Sequence, residues 1–266
     1  MKVWLILIRR EFWEGRGLWI APLAVAAFMV VMAGLSVGGS SHVHTSFGSA
    51  NLAFTPNALR ASVNGIAWLM LLVGGLSVTS YLLDCLYAER KDRSILFWKS
   101  LPVSDTQTVL SKFLVAAVIV PLGIFVLAAI THLACSLLVW LLFVRPAGII
   151  GDGWSMQVWF DAQGELLGRL LVTLLWWAPL NAYLILGSVW ARRAPLVTVV
   201  LPPLVIAAAQ NILFSRSDVW QFLLRRLAPI GSPAETLASP ELWLGLVAAI
   251  ALLAVVIRLR RYRDDT

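Results

Sequence analysis

The polar residues that could do chemistry are few and stand in apolar surroundings. His132 lies in a stretch from Phe113 to Val144 that carries no formal charge, and Asn64, Asn181, Gln210 and Asn211 lie in other apolar runs. An imidazole in such a place can move protons or bind a substrate, or it can hydrogen-bond a neighbouring helix as packing glue. Both readings of His132 stay open on sequence. His42 and His44 form a His-x-His pair in a Ser-rich stretch, but no carboxylate or cysteine is close by in sequence to complete a ligand set, so no metal site is assigned. No His-Glu-x-x-His zinc motif and no Gly-x-Ser-x-Gly elbow occurs. A phosphate-cradling P-loop needs Gly-Lys, and the chain contains no such dipeptide. No catalytic residue is therefore assigned. An intramembrane enzyme using His132 or a loop site remains an alternative, and so does a non-transporting membrane anchor.

The elements that must position these groups are set by composition. Of 266 residues, 60% are hydrophobic and 13% charged, about half the charged share of a soluble domain. This predicts an all-α polytopic membrane protein, a single transmembrane domain over 1–266. A spanning helix needs about 20 mostly apolar residues. Six runs qualify: Leu18 to Gly38, Val63 to Leu83, Phe113 to Val144, Leu170 to Trp190, Leu196 to Phe214 and Leu242 to Ile257. The first is read as a retained span, because the run and its charged leader are long for a signal peptide. The third is too long for one flat crossing and too short for two with a turn. It is read as one long helix bent near Pro121 or Gly123.

Charge placement fixes the orientation. Six spans with both termini in the cytoplasm put fifteen of the 21 basic residues inside, and the third span taken as two would reverse the bias in the second half. The net charge of +7 is thus read as span-flanking residues facing anionic lipid, with no nucleic-acid partner. Cys85 and Cys135, near the end of one span and inside another, are expected to be unbonded.

Residues 1–17 read as an interfacial helix or as the charged leader of the first span. Trp4, Leu5, Ile8 and Phe12 share one side, with Lys2, Arg9, Arg10 and Glu14 mostly opposite. The segment 86–112 is richer. Asp92 or Ser94 can cap a short helix on which Ile95, Trp98 and Leu101 recur at helical spacing, and Pro102 ends it. Ser104 with Gln107 then forms a capping box for the helix leading into the third span. So long a connection with Phe97 and Trp98 on show suggests a docking surface for another protein, or else an anchor in headgroups. In the outer segment 215–241 Asp218 can cap a short helix through Trp220, Phe222, Leu223 and Leu224 to Leu227, with Pro229, Gly231, Pro233 and Pro240 breaking up the remainder of the segment. Gly65, Gly74, Gly75, Ser77 and Ser80 allow close helix approach, within the chain or across a dimer.

Glu89-Arg90, a short apolar helix, Leu101-Pro102-Val103-Ser104 and an amphipathic lead containing Lys112 together resemble the permease subunits of ABC-2-type transporters. The resemblance covers the whole layout: amphipathic N-terminal helix, six spans, connecting segment and outer helical element. It implies an exporter in a bacterial inner membrane. Glu89, Arg90, Arg93, Ile95, Phe97, Trp98, Leu101 and Pro102 would then form a coupling helix that docks on a separate ATPase chain. ATP and magnesium would be held by that partner, with no cofactor on this chain. A second permease copy would complete the path, to which Asn64, His132, Asn181 and Asn211 are the candidate polar contributors.

Overall fold

The computed structural model describes residues 2–39, 56–92, 94, 103–144, 155–215, 217–227 and 231–262. Every regular element among them is helical, and six helices are long and apolar enough to cross a membrane. The chain is an all-α, multi-pass membrane protein. The helices are α1 (Lys2–Glu14), α2 (Gly17–Gly39), α3 (Pro56–Asp84), α4 (Tyr87–Lys91), α5 (Asp105–Leu114), α6 (Val120–Val139), α7 (Met156–Trp190), α8 (Pro195–Phe214), α9 (Asp218–Leu227), α10 (Pro233–Ala238) and α11 (Pro240–Tyr262). Large apolar side chains such as Phe28, Leu72, Ile130 and Val247 stay exposed. That is the expected state of a helix whose solvent is lipid.

The third span is helical at every residue from Asp105 to Val144. A π-helical turn, Val115–Ile119, joins α5 to α6, and a second one, Trp140–Val144, extends α6. The first wide turn sits directly before Pro121. A proline ring clashes with the preceding turn of a regular helix and supplies no N–H, and a widened turn relieves both conditions. At its N-terminus α5 carries the predicted capping box: the Ser104 hydroxyl accepts from the Gln107 amide, and the Ser104 amide donates to the Gln107 side chain, each at 3.2 Å.

Two helices run well beyond their apolar cores. α3 starts seven residues before Val63 and α7 fourteen before Leu170. The added stretch of α7 holds Asp161, Glu165 and Arg169, whose charge hides it from a search for apolar runs. The outer segment holds one helix more than expected. Pro233, read as a breaker, occupies the first turn of α10, where its missing N–H costs nothing, and Ser232 with Glu235 forms a second capping box. Asp218 does begin α9 but does not cap it. Gln210 of α8 does so instead: its amide donates to the Asp218 carboxylate and its carbonyl accepts the Val219 N–H. The Gln210 polarity in an apolar run is thus accounted for by a cap delivered from the neighbouring helix.

The described chain divides into two compact units. Unit one contains residues 1–16, 77–120 and 169–266, and unit two contains 17–76 and 121–168. In unit one α5 packs against both α1 and α11, and α9 against α8. Val172, Trp176 and Leu242 form a core there, and Gly187 lies against Val199 so closely that a Cβ would collide with it. In unit two Leu59, Val63, Trp159 and Ala162 form the core, with Ala129 and Leu133 against it. Of the small residues on α3, Gly74 meets Ile124, whereas a Cβ at Gly65 would meet nothing within 4 Å among the described residues. Cys85 and Cys135 are both free.

Candidate functional site

Unit one contains a buried cluster of charge built by five helices. Glu89 of α4 is its centre. One carboxylate oxygen meets Arg10 of α1 at 2.9 Å and Lys112 of α5 at 3.2 Å, and the other meets Arg260 of α11 at 3.2 Å. Lys112 also reaches Glu11 of α1 at 3.1 Å. The Tyr81 hydroxyl of α3 donates to the same Glu11 oxygen. Arg260 faces Asp105 at 3.4 Å, and Arg10 pairs with Glu14 one turn along α1 at 2.7 Å. Glu11, Glu89, Lys112 and Arg260 are all nearly inaccessible, with Lys112 only 2% exposed.

Such a cluster is stable only if the charges balance, because each ion taken from water costs several kcal/mol. Here Glu11, Glu89 and Asp105 face Arg10, Lys112 and Arg260. Burial works against the Arg10 charge, but Glu14, Glu11 and Glu89 outweigh it and hold its pKa above the ordinary arginine value. One oxygen of Glu11 and one terminal nitrogen of Arg260 have no hydrogen-bond partner among the described residues.

The next residue points elsewhere. Arg90 donates to the Ser188 and Ala191 carbonyls at the C-terminal end of α7, at 2.7 and 2.8 Å. A cation there suits both the unpaired carbonyls and the helix dipole. The Ser188 hydroxyl in turn accepts the Leu86 and Tyr87 amides at the start of α4, and the Tyr87 hydroxyl donates to the Arg193 carbonyl. The short α4 is therefore fastened on both sides: Glu89 to α1, α5 and α11, Arg90 to α7.

Unit two contains a neutral chain of hydrogen bonds. The Trp159 indole N–H lies 3.1 Å from His132 Nδ1, and His132 Nε2 lies 3.0 Å from the Ser62 hydroxyl. An indole nitrogen can only donate. Nδ1 must therefore accept, the imidazole is neutral, and its proton sits on Nε2 facing Ser62. The Ser62 hydroxyl donates its own hydrogen bond to the Leu59 carbonyl at 2.8 Å. The chain runs from Trp159 to His132 to Ser62 to the backbone. A serine nucleophile activated by histidine needs the opposite direction, with the hydroxyl donating to the imidazole.

The other expected residues are scattered. Asn64 and Asn211 are exposed, and Asn181 is buried in unit one. Arg93, Ile95, Phe97, Trp98, Leu101 and Pro102 lie outside the described residues, as do His42 and His44. Among the described residues no group of three His, Cys, Asp or Glu side chains is placed to hold a metal ion. Three basic residues counted as flanking charges toward lipid, Arg10, Lys112 and Arg260, are instead members of ion pairs. Leu5, placed on the apolar side of α1, is exposed, while Leu7 and Glu11 are buried. The sequence did contain one signal of this: Glu11 is an acid set directly after two arginines on a short helix. Comparison with known protein families, with curated proteins and with solved structures finds no match to this chain.

Proposed function

We propose that the chain is the transmembrane permease subunit of an ABC-2-type ATP-driven exporter in a bacterial inner membrane, with both termini in the cytoplasm. The observation that carries this reading is the anchoring of the Glu89 cluster. In the sequence, the segment 95–102 with Phe97 and Trp98 lies between α4 and α5. Both of its roots are tied by ion pairs: Glu89 upstream, Lys112 and Asp105 downstream, with α1 and α11 as common partners. A loose connection would dissipate a push from a partner. A connection with fastened roots passes it to α1, α5, α7 and α11 as a semi-rigid displacement.

In this reading the ATPase is a separate chain that holds ATP and magnesium, and residues 89–102 dock into it. A second permease copy supplies the other half of the path. The cluster's cations Arg10, Lys112 and Arg260, and Arg90 beside it, are all on the side the charge census assigns to the cytoplasm. The enzyme alternative is disfavoured by the direction of the Trp159–His132–Ser62 chain. The test is co-expression of the full chain with candidate Walker-motif ATPases, followed by purification and reconstitution. A stable complex with hydrolysis stimulated by the permease is expected, and Phe97→Ala with Trp98→Ala should weaken association by about 30-fold, as for loss of an interface hot spot. Association and stimulation untouched by both substitutions, or transport by the chain alone, would overturn the reading.

A further inference from the structure

A cavity of about 200 Å³ opens between α7, α9 and α11 in unit one, and its lining carries charge of both signs. Arg225 and Arg226 of α9 stand on its wall together with Asp218 of α9 and Glu241 of α11. Neither arginine has a carboxylate within ion-pair distance among the described residues. Arg226 is fixed in place: its guanidinium lies over the Trp176 ring at 4.5 Å, an arrangement that stabilises a cation. One of its terminal nitrogens reaches the Glu241 carbonyl only at 3.4 Å. The other is buried without an acceptor among the described residues. A Cβ at position 245 would collide with it, so Gly245 of α11 is what lets the guanidinium approach that helix so closely. Burial lowers the Arg226 pKa and Glu241 partly offsets this, as expected for a cation short of acceptors.

The helix carrying these arginines is itself anchored. The Trp176 and Trp177 indoles of α7 donate to the Arg226 and Leu227 carbonyls, at 3.2 and 3.1 Å, and so close the C-terminal end of α9. Trp220, Leu224 and Leu227 are left exposed on the same helix, a face suited to acyl chains. Along α11 the distance from Glu241 to Arg260 is about 28 Å at 1.5 Å per residue, close to the ~30 Å hydrocarbon thickness. The cavity therefore lies one membrane thickness from the Glu89 cluster, at the depth of headgroups.

We propose that this cavity binds a headgroup of the phosphoethanolamine class, the phosphate taking Arg225 and Arg226 and the ammonium facing Asp218 and Glu241. A doubly charged anion alone would meet two carboxylates as well as two guanidinium groups. A cation alone would leave both arginines unanswered. A zwitterion answers both signs, and Trp176 and Phe222 supply apolar walls for its methylene and glyceryl carbons. The volume fits a headgroup and falls short of the ~300 Å³ lower bound for drug-sized ligands.

The test uses the full chain in detergent, with native mass spectrometry after addition of phosphatidylethanolamine, phosphatidylglycerol or phosphatidylcholine. Phosphatidylethanolamine should be retained preferentially. Arg225→Ala should lower its occupancy about tenfold, the loss of one charge-assisted contact. Glu241→Gln should move the preference toward phosphatidylglycerol. Both positions are exposed, so both variants are expected to fold, with thermal unfolding as the control. Soluble O-phosphoethanolamine as competitor separates the sources: displacement at matched concentration assigns the site to the free compound, and retention assigns it to lipid. Equal retention of all three lipids, unchanged in Arg225→Ala and Glu241→Gln, overturns the proposal. So does a wild-type preference for phosphatidylglycerol or for phosphatidylcholine.

Discussion

The Glu89 cluster and the His132 chain solve the same problem by different means. Each brings polar side chains together from helices distant in sequence, in a protein whose interior is mostly apolar. In unit one the polar groups are ionised and balance one another, with carboxylates and cations drawn from α1, α4, α5 and α11. In unit two they are neutral, and the donors and acceptors are matched one by one from Trp159 to the Leu59 carbonyl. The difference is one of tolerance. A neutral chain that loses a member leaves one hydrogen bond unmade. A balanced ion cluster that loses a member leaves a buried charge without compensation, which costs much more. The charged region is accordingly where a single substitution should cost most.

That contrast can be broken by substitution. The largest effect is expected for Glu89→Gln, which leaves Arg10, Lys112 and Arg260 gathered around a neutral side chain. A loss of about 3–5 kcal/mol is expected, as for other buried pairs deprived of one partner, read from reversible unfolding in mixed micelles. A loss under about 1 kcal/mol would mean that water reaches the cluster and that it clamps nothing. Lys112→Met should approach the same loss, and Lys112→Met combined with Glu11→Gln should be less damaging than the sum of the two, because the double change removes charge of both signs. Strict additivity would show that the two do not interact.

His132→Ala should cost about 1–3 kcal/mol, with the Trp159 donor left unsatisfied. Ser62→Ala should fall at the lower end of that range. If transport or any other activity is recovered in proteoliposomes, Ser62→Ala should leave it largely intact, since the hydroxyl points its proton at a carbonyl. Abolished activity in a folded Ser62→Ala variant would restore the enzyme alternative. Ser104→Ala removes the α5 cap and should cost about 1 kcal/mol. The smallest change should come from Glu14→Gln, whose exposed pairing with Arg10 is worth under about 1 kcal/mol. If Glu14→Gln matched Glu89→Gln, burial would make no difference to what a charge contributes in this fold.

Much of the architecture was legible in the residues. Apolar runs of spanning length gave the six helices, since a helix is one of the few structures that satisfies its own backbone in lipid. The length of the run from Phe113 to Val144 and the placement of the basic residues favoured one long third span, and Ser104 with Gln107 marked where the helix into it begins. Gly74 was legible as a site of close approach, though its partner Ile124 was not. What tertiary structure alone decided is which polar groups meet. Glu11, Glu89, Lys112 and Arg260 lie on four helices separated in sequence, and nothing in the local pattern of any one of them names the others as partners. Ser62 and Trp159 likewise gave no sign of pairing with His132. Local pattern reports how one helix divides its own faces. It carries no information on which neighbour covers a face, and it is the neighbour that determines whether a charge faces lipid, water or its opposite.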